Sequence, residues 1–306
     1  MNLKKLQKKF VYQLGWFALR LCSLTVRVMP ESWAYAFARL LGLFWYAFSN
    51  RHRKVALENL NAVFGATENS SWIRRMAKDC FISMTTSAVE LLLLTQKDPD
   101  VFRTQRIKLV NRHYLDQALS QKKGVILASA HFGNFPLMLV GLAFAGYKSA
   151  AVMRPIKVKR IADFFEADRQ RFGVNTIMTI PRTACVAAIL RALRDNQAIF
   201  IPLDQNFGTG GVFVDFFGRP AATATGPVVL AQRTGAKIVP SFIIRNADRT
   251  HTIVFERPLE LENGANDAET VKINVQRITG IIESYVRRFP AEWSWIHKRW
   301  KAKIGG

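Results

Sequence analysis

Two apolar stretches open the chain, residues 10–29 (FVYQLGWFALRLCSLTVRVM) and 32–48 (SWAYAFARLLGLFWYAF), parted by Met29-Pro30-Glu31. Proline cannot continue a helix through that break, so the pattern predicts two helices able to pack as an antiparallel pair. Residues 51–65 alternate charge and apolar side chains at helical spacing and stop at Gly65, and residues 69–95 predict a further helix with Glu90 inside its apolar end. From residue 124 the rhythm changes. Val125 to Ala128 is a short apolar run bounded by Gly124 and His131, the mark of a buried strand, and 136–145 predicts the helix after it, with Pro136 suited to its first turn. Strands near 148–153, 175–180, 198–203, 237–244 and 251–257 then alternate with helices near 157–172, 183–195, 226–235 and 268–289. That alternation predicts an α/β fold, a largely parallel central sheet flanked by helices, with an N-terminal helical region attached. The expected organisation is residues 1–50 as a membrane-associating helical region and 51–306 as the α/β domain.

Charge changes the picture most. The chain carries 44 Lys and Arg against 22 Asp and Glu, a formal net charge of +22. Such a balance favours acidic partners, nucleic acid or an anionic membrane. Its densest early run, Lys4, Lys5, Lys8 and Lys9, directly precedes apolar aromatic sequence, which suits a lipid headgroup surface better than a DNA groove. No zinc-finger spacing or RNA-recognition motif supports nucleic acid, and none is expected as a partner. Neither N-terminal stretch is a clean membrane span, because Arg20 and Arg39 sit inside them and a central arginine costs ~2.5–3.5 kcal/mol. The expectation is an interfacial or partly inserted anchor with Trp16, Trp33, Trp45 and Tyr46 at headgroup depth; two buried helices of a soluble domain are the competing reading. Cys22, Cys80 and Cys185 are widely spaced, which argues for reduced thiols and against a cysteine metal site.

His131 follows a buried strand and opens a helix, and functional groups gather at the carboxyl ends of strands in such sheets. An imidazole there is placed to draw a proton from a hydroxyl. Gly133 permits close backbone approach, and the free amides of Gly133 and Asn134 at the helix start suit a developing oxyanion. Alone, a histidine at a strand end is more often structural.

The segment Ser129-Ala130-His131-Phe132-Gly133-Asn134-Phe135 resembles the SAHFGNW block of the lipid A lauroyl and myristoyl (late) acyltransferases, within the wider glycerolipid acyltransferase superfamily. Asp204-Gln205 resembles that family's DQ segment, residues 211–240 its aromatic FF-G block, PAEWSWIHKRWK its C-terminal signature and RHRKVALENL its early Arg-rich segment. The resemblance implies transfer of a fatty acyl chain from an acyl thioester, on acyl carrier protein or coenzyme A, to a hydroxyl of a lipid A precursor or related membrane lipid. It implies no metal or cofactor, and a place at the cytoplasmic face of a bacterial inner membrane. His131 would be the base, Asp204 a catalytic partner, and Gly133, Asn134, Arg154 and Gln205 the substrate-binding residues. One position departs from the family's HxxxxD/E motif: Pro136 stands where the acid belongs. Three readings follow: Asp204, Glu90 or Glu166 substitutes, the histidine acts without an acidic partner, or the scaffold has kept lipid binding without catalysis; a helix or turn cap for Asp204, an arginine pair for Glu90 and a solvated helix face for Glu166 are the plainer readings. Phe213, Phe216 and Phe217 are expected to line an acyl groove or to pack in the core.

Overall fold

The computed structural model describes residues 3–94 and 106–302. Four helices come first: α1 (Leu3–Val28), α2 (Glu31–Phe48), α3 (Asn50–Phe64) and α4 (Ser70–Leu94). Then follow β1 (Ile107–Val110), α5 (Arg112–Ser120), β2 (Val125–Ser129), α6 (Phe135–Phe144), β3 (Ser149–Met153), α7 (Lys159–Arg171), β4 (Val174–Met178), α8 (Arg182–Arg194) and β5 (Ala198–Pro202). A hairpin of β6 (Val212–Phe216) and β7 (Arg219–Thr223), then α9 (Gly226–Thr234), β8 (Lys237–Arg245), β9 (His251–Phe255) and α10 (Asp267–Arg288) complete the order.

The main sheet runs β1-β9-β8-β2-β5-β3-β4, and every neighbouring pair is parallel except β8 with β9. The largely parallel sheet expected from the alternation is present. Central β2 is buried at all five positions, so its apolar run is covered on both faces, as parallel strands require. On one face α6 is almost wholly apolar and buries Leu137, Met138, Leu139, Val140 and Leu142; each such side chain contributes ~1.5–3 kcal/mol when removed from water. On the other face the core is built with α10, β6 and the tryptophan-rich end of the chain, where Trp293, Trp295 and Arg299 are fully buried.

Three elements went unread in the sequence: β1, α5 and the β6–β7 hairpin. The hairpin turns through Phe217 (φ 58°) and Gly218 (φ 71°), with the Asp215 carboxylate accepting from the Gly218 amide at 2.8 Å. A phenylalanine in the left-handed region is uncommon, so the usual Asn-Gly signal of a two-residue turn is missing.

At the N-terminus α2 packs along α4, and Val26 of α1 joins Ala34, Ala38, Val89 and Leu92 in a small satellite core. The other side of α1 leaves Phe10, Leu14, Phe17, Leu21, Leu24 and Val28 exposed, and α2 leaves Trp33, Leu40, Phe44 and Phe48 exposed. Trp33 faces outward, but Trp45 and Tyr46 turn inward and meet the ring of Phe81 edge-on at 4.8 and 5.4 Å, because they lie on the α2 face that α4 covers. The side chains of Lys4 to Lys9 fall outside the described residues. Among the described residues no helix is long and apolar enough to cross a membrane.

Candidate active site

Parallel pairing of β2 with β5 in the register Ser129↔Pro202 decides the site. His131 and Asp204 each lie two residues beyond that pair, and the Leu203 amide extends the ladder to the Ser129 carbonyl at 3.0 Å. The two side chains therefore leave adjacent strands at one level of the rim. His131 Nδ1 lies 2.8 Å from Asp204 Oδ1. The other carboxylate oxygen accepts from the Trp293 indole N–H at 2.9 Å. With Asp204 3% exposed and His131 27%, the carboxylate is sealed inside while the far edge of the imidazole meets solvent.

Burial alone would push the His131 pKa down, but the charge and hydrogen bond of Asp204 outweigh it and hold the imidazole above its ordinary value. Burial likewise disfavours the Asp204 carboxylate, and the attraction of His131 with the hydrogen bonds from His131 and Trp293 brings its pKa below the usual range. The ionised carboxylate requires Nδ1 to carry the proton, which leaves the Nε2 lone pair directed outward. Gln205 Nε2 sits 3.4 Å from it, a long contact.

The loop after His131 is held from two sides. The C-terminal segment pairs with it through the bridge Phe132↔Trp293 and the Ser294 amide to the His131 carbonyl at 3.2 Å. Gly133 is in the left-handed region (φ 56°), and a Cβ there would come within 2.2 Å of the Ile243 carbonyl oxygen. This corrects one expectation: the Gly133 amide donates to the Glu292 carbonyl at 2.8 Å and is not free to meet an oxyanion. The glycine is needed for fit. Asn134 is likewise more structural than expected, since its side chain is fully buried. It caps α6 by accepting from the Leu137 amide and donates to Glu90 Oε2 at 2.8 Å. The Asn134 main-chain N–H has no partner among the described residues.

Glu90 adopts the arginine pairing of its plainer reading. Arg245 grips both its oxygens, at 2.9 and 3.0 Å, and reaches Glu292 at 3.1 Å and Ser87 at 2.7 Å. His251 Nε2 lies 3.3 Å from the same carboxylate. Burial works against its ionisation, but the His251 and Arg245 contacts prevail and hold Glu90 down to about 2. This network ties α4, α6 and β8 together behind the His131 loop and does not touch the imidazole. Glu166 pairs with Arg169 one turn along α7 at 2.7 Å, so it too is away from His131. Of the acids expected to replace the motif residue, Asp204 alone contacts the ring.

Arg154 follows β3 on the same rim, exposed and without a hydrogen bond or ion pair among the described residues; its charge is felt at His297. Phe216 and Phe217 are buried against Trp300, Trp293 and Trp295, which favours core packing. Sequence reading missed the supporting shell. Trp293 fixes Asp204, His297 Nε2 accepts from the Asn206 amide at 3.1 Å, and buried Arg299 donates to the carbonyls of Gln205 and Ala222 at 3.1 and 2.6 Å. The only signal for these was their membership of the PAEWSWIHKRWK segment.

The exposed edge of His131 opens into a cleft of about 400 Å³ with walls from α4, the start of α6, Gln205 and Ser294. Next to it lies a largely apolar cavity of about 350 Å³ between α4, α6 and α7, with Leu19 of α1 in its lining. Ala88, Leu91, Phe135 and Pro136 line both. A histidine at the mouth of a cleft that adjoins an apolar chamber suits a substrate with a reactive polar end and a hydrocarbon tail.

A lipid A biosynthesis palmitoleoyltransferase of Escherichia coli (strain K12) is 26% identical over 299 residues, 96% of this chain and 93% of that one. A lipid A biosynthesis lauroyltransferase of the same strain is 24% identical over 300 residues, 96% and 94% of the two chains. A phosphatidylinositol mannoside acyltransferase of Mycolicibacterium smegmatis is 23% identical over 201 residues, 65% of this chain and 64% of that one. The family model for bacterial lipid A biosynthesis acyltransferase matches residues 2–302; with its parallel α/β sheet, the chain is an acyltransferase and belongs to the bacterial lipid A biosynthesis acyltransferase family.

Proposed function

We propose that the chain transfers a fatty acyl group from a thioester to a hydroxyl of a lipid A precursor or a closely related glycolipid, with His131 as general base. The observation that carries this reading is the 2.8 Å contact between His131 Nδ1 and a buried, ionised Asp204. Asp204 holds the tautomer in which Nε2 accepts the hydroxyl proton. The alkoxide attacks the thioester carbonyl carbon, the Asn134 amide steadies the oxyanion, the C–S bond breaks, and the departing thiolate takes the proton back from Nε2. Arg154, unpaired on the rim, suits a phosphate of the acceptor or of the donor's phosphopantetheine arm, and Gln205 the reacting hydroxyl. The acidic surface of acyl carrier protein would complement a chain of net charge +22, which favours it over acyl-coenzyme A as donor.

The exposed apolar stripe of α1, at spacings of three and four residues, with Trp33, Phe44 and Phe48 of α2, supports peripheral seating of residues 1–50 on the cytoplasmic face of the inner membrane, with 51–306 forming the catalytic body. The test is incubation of purified protein with labelled acyl carrier protein and extracted bacterial lipids. Labelled lipid should form with the unaltered protein and fall by roughly two to four orders of magnitude in His131→Ala. Transfer that persists unchanged in that variant refutes the role given to His131.

A further inference from the structure

Along the carboxyl rim of the sheet the strand order β8-β2-β5-β3 sets Arg245, His131, Asp204 and Arg154 in sequence. Two guanidinium groups therefore flank the dyad, and their surroundings differ. Arg154 is exposed, without a partner among the described residues. Arg245 is 13% exposed and committed to Glu90 and Glu292. It also donates to the hydroxyls of Ser83 and Ser87, one turn apart on α4, at 3.0 and 2.7 Å. A guanidinium only donates, so each serine oxygen accepts from it and the hydroxyl's own proton is free for another acceptor. Neither proton finds one among the described residues. Ser83, Ser87, Glu292 and Ser294 all line the His131 cleft, and the Ser294 hydroxyl has no partner among the described residues.

We propose that this wall of the cleft is a subsite for a sugar ring of the acceptor, with Ser83, Ser87 and Ser294 donating to its oxygens and Glu292 accepting from its hydroxyls. This rests on the acyl-transfer reading above. A sugar hydroxyl both donates and accepts, as the wall does. A phosphate dianion only accepts, and here it would meet the Glu292 carboxylate while the guanidinium is already divided between two carboxylates. Phosphate belongs with Arg154, on the other side of the dyad. The acceptor is thereby oriented, with its ring toward β8, its charged group toward β3 and the reacting hydroxyl between them at His131 Nε2.

The first test is kinetic. Ser87→Ala and Ser294→Ala, combined in one variant, remove two hydroxyls and no charge, so the melting temperature should stay within a few degrees. With a lipid A precursor as acceptor and acyl carrier protein as donor, the acceptor KM should rise on the order of tenfold, the worth of two hydrogen bonds. The donor KM and the acidic limb of the pH profile should not move, because neither serine touches the imidazole. General loss of packing would not separate the two KM values. An unchanged acceptor KM, or an equal rise in both, overturns the subsite.

The second test reads binding without turnover. Octyl β-glucoside and octyl phosphate share a chain and differ in head group. Calorimetry should show the glucoside weakened on the order of tenfold by the serine changes alone, and octyl phosphate weakened by Arg154→Ala alone. Ser294→Ala by itself, whose hydroxyl holds no other group in place, should reproduce part of the glucoside effect and serves if the double variant fails to fold. Glucoside binding untouched by the serine changes, or none to the unaltered protein, overturns the subsite. If no thioester yields transfer to any lipid and the glucoside result holds, the acyl-transfer reading fails while the wall stands as a sugar-binding site.

Discussion

Replacing Asp204 by asparagine tests the site most sharply, because the new side chain keeps the shape and alters only charge and proton traffic. Two side-chain donors converge on this carboxylate, His131 Nδ1–H at 2.8 Å and Trp293 Nε1–H at 2.9 Å. An asparagine has one acceptor oxygen for the two. The indole nitrogen cannot give up its proton, so the amide oxygen must serve Trp293 and the NH2 must face His131. Nδ1 then becomes the acceptor, the proton moves to Nε2, and the lone pair that faced the cleft is lost. Loss of a general base lowers turnover ~10²–10⁴-fold, or about 3–5 kcal/mol of barrier at 1.36 kcal/mol per tenfold. The pH profile carries a second signature. Burial lowers the His131 pKa and Asp204 raises it, with a net rise above 6.5. A base must be neutral to act, so activity in the unaltered protein should decline as pH falls below a value higher than 6.5. In Asp204→Asn only the lowering effect of burial remains, and the acidic limb of kcat/KM should move to lower pH. Steady-state transfer measured from pH 5 to 9 would check both. Turnover in Asp204→Asn close to that of the unaltered protein, with an unshifted acidic limb, would refute the dyad.

Other outcomes follow from the surroundings of the dyad. Arg245→Ala should destabilise the fold by ~3–5 kcal/mol, read by urea unfolding, because it strands a buried Glu90 carboxylate. Glu90 is held down to about 2 from an ordinary 4.5, so its contribution to stability is present above about pH 4.5 and lost as pH falls toward about 2; an acid titration of Glu90→Gln should be flatter there. Gly133→Ala should lower the unfolding midpoint, with backbone strain alone costing ~1–3 kcal/mol before the contact with the Ile243 carbonyl is counted. Arg154→Ala should raise KM for the phosphate-bearing substrate on the order of tenfold with little change in kcat, the mark of lost binding, measured with donor and acceptor varied in turn. Substituting Leu14, Phe17 and Leu21 together by glutamate should abolish flotation with anionic vesicles while leaving the melting temperature within a few degrees, since all three side chains are exposed.

Long apolar or amphipathic segments could be read directly. The buried run of β2, the all-apolar α6 and the amphipathic α10 declare themselves because one face or the whole element must leave water. Edge elements were harder. The four residues of β1 are only partly buried, so no continuous apolar run marks them. The hairpin turn uses Phe217 where a turn signal would be Asn or Gly.

By itself the sequence determined the class of fold, the blocks that mark the family, and His131 at a strand end; these depend on local pattern and need no neighbour in space. It left open which acid serves the imidazole, because Asp204, Glu90 and Glu166 are all acidic residues far from residue 131 along the chain. The pairing of β2 with β5 decided that, by bringing two strand ends to one level and closing Trp293 over the carboxylate. Tertiary structure also withdrew the Gly133 amide from the chemistry and gave it to Glu292. Hydrogen-bond partners between distant segments are set by register and packing, and neither is written in any one stretch of residues.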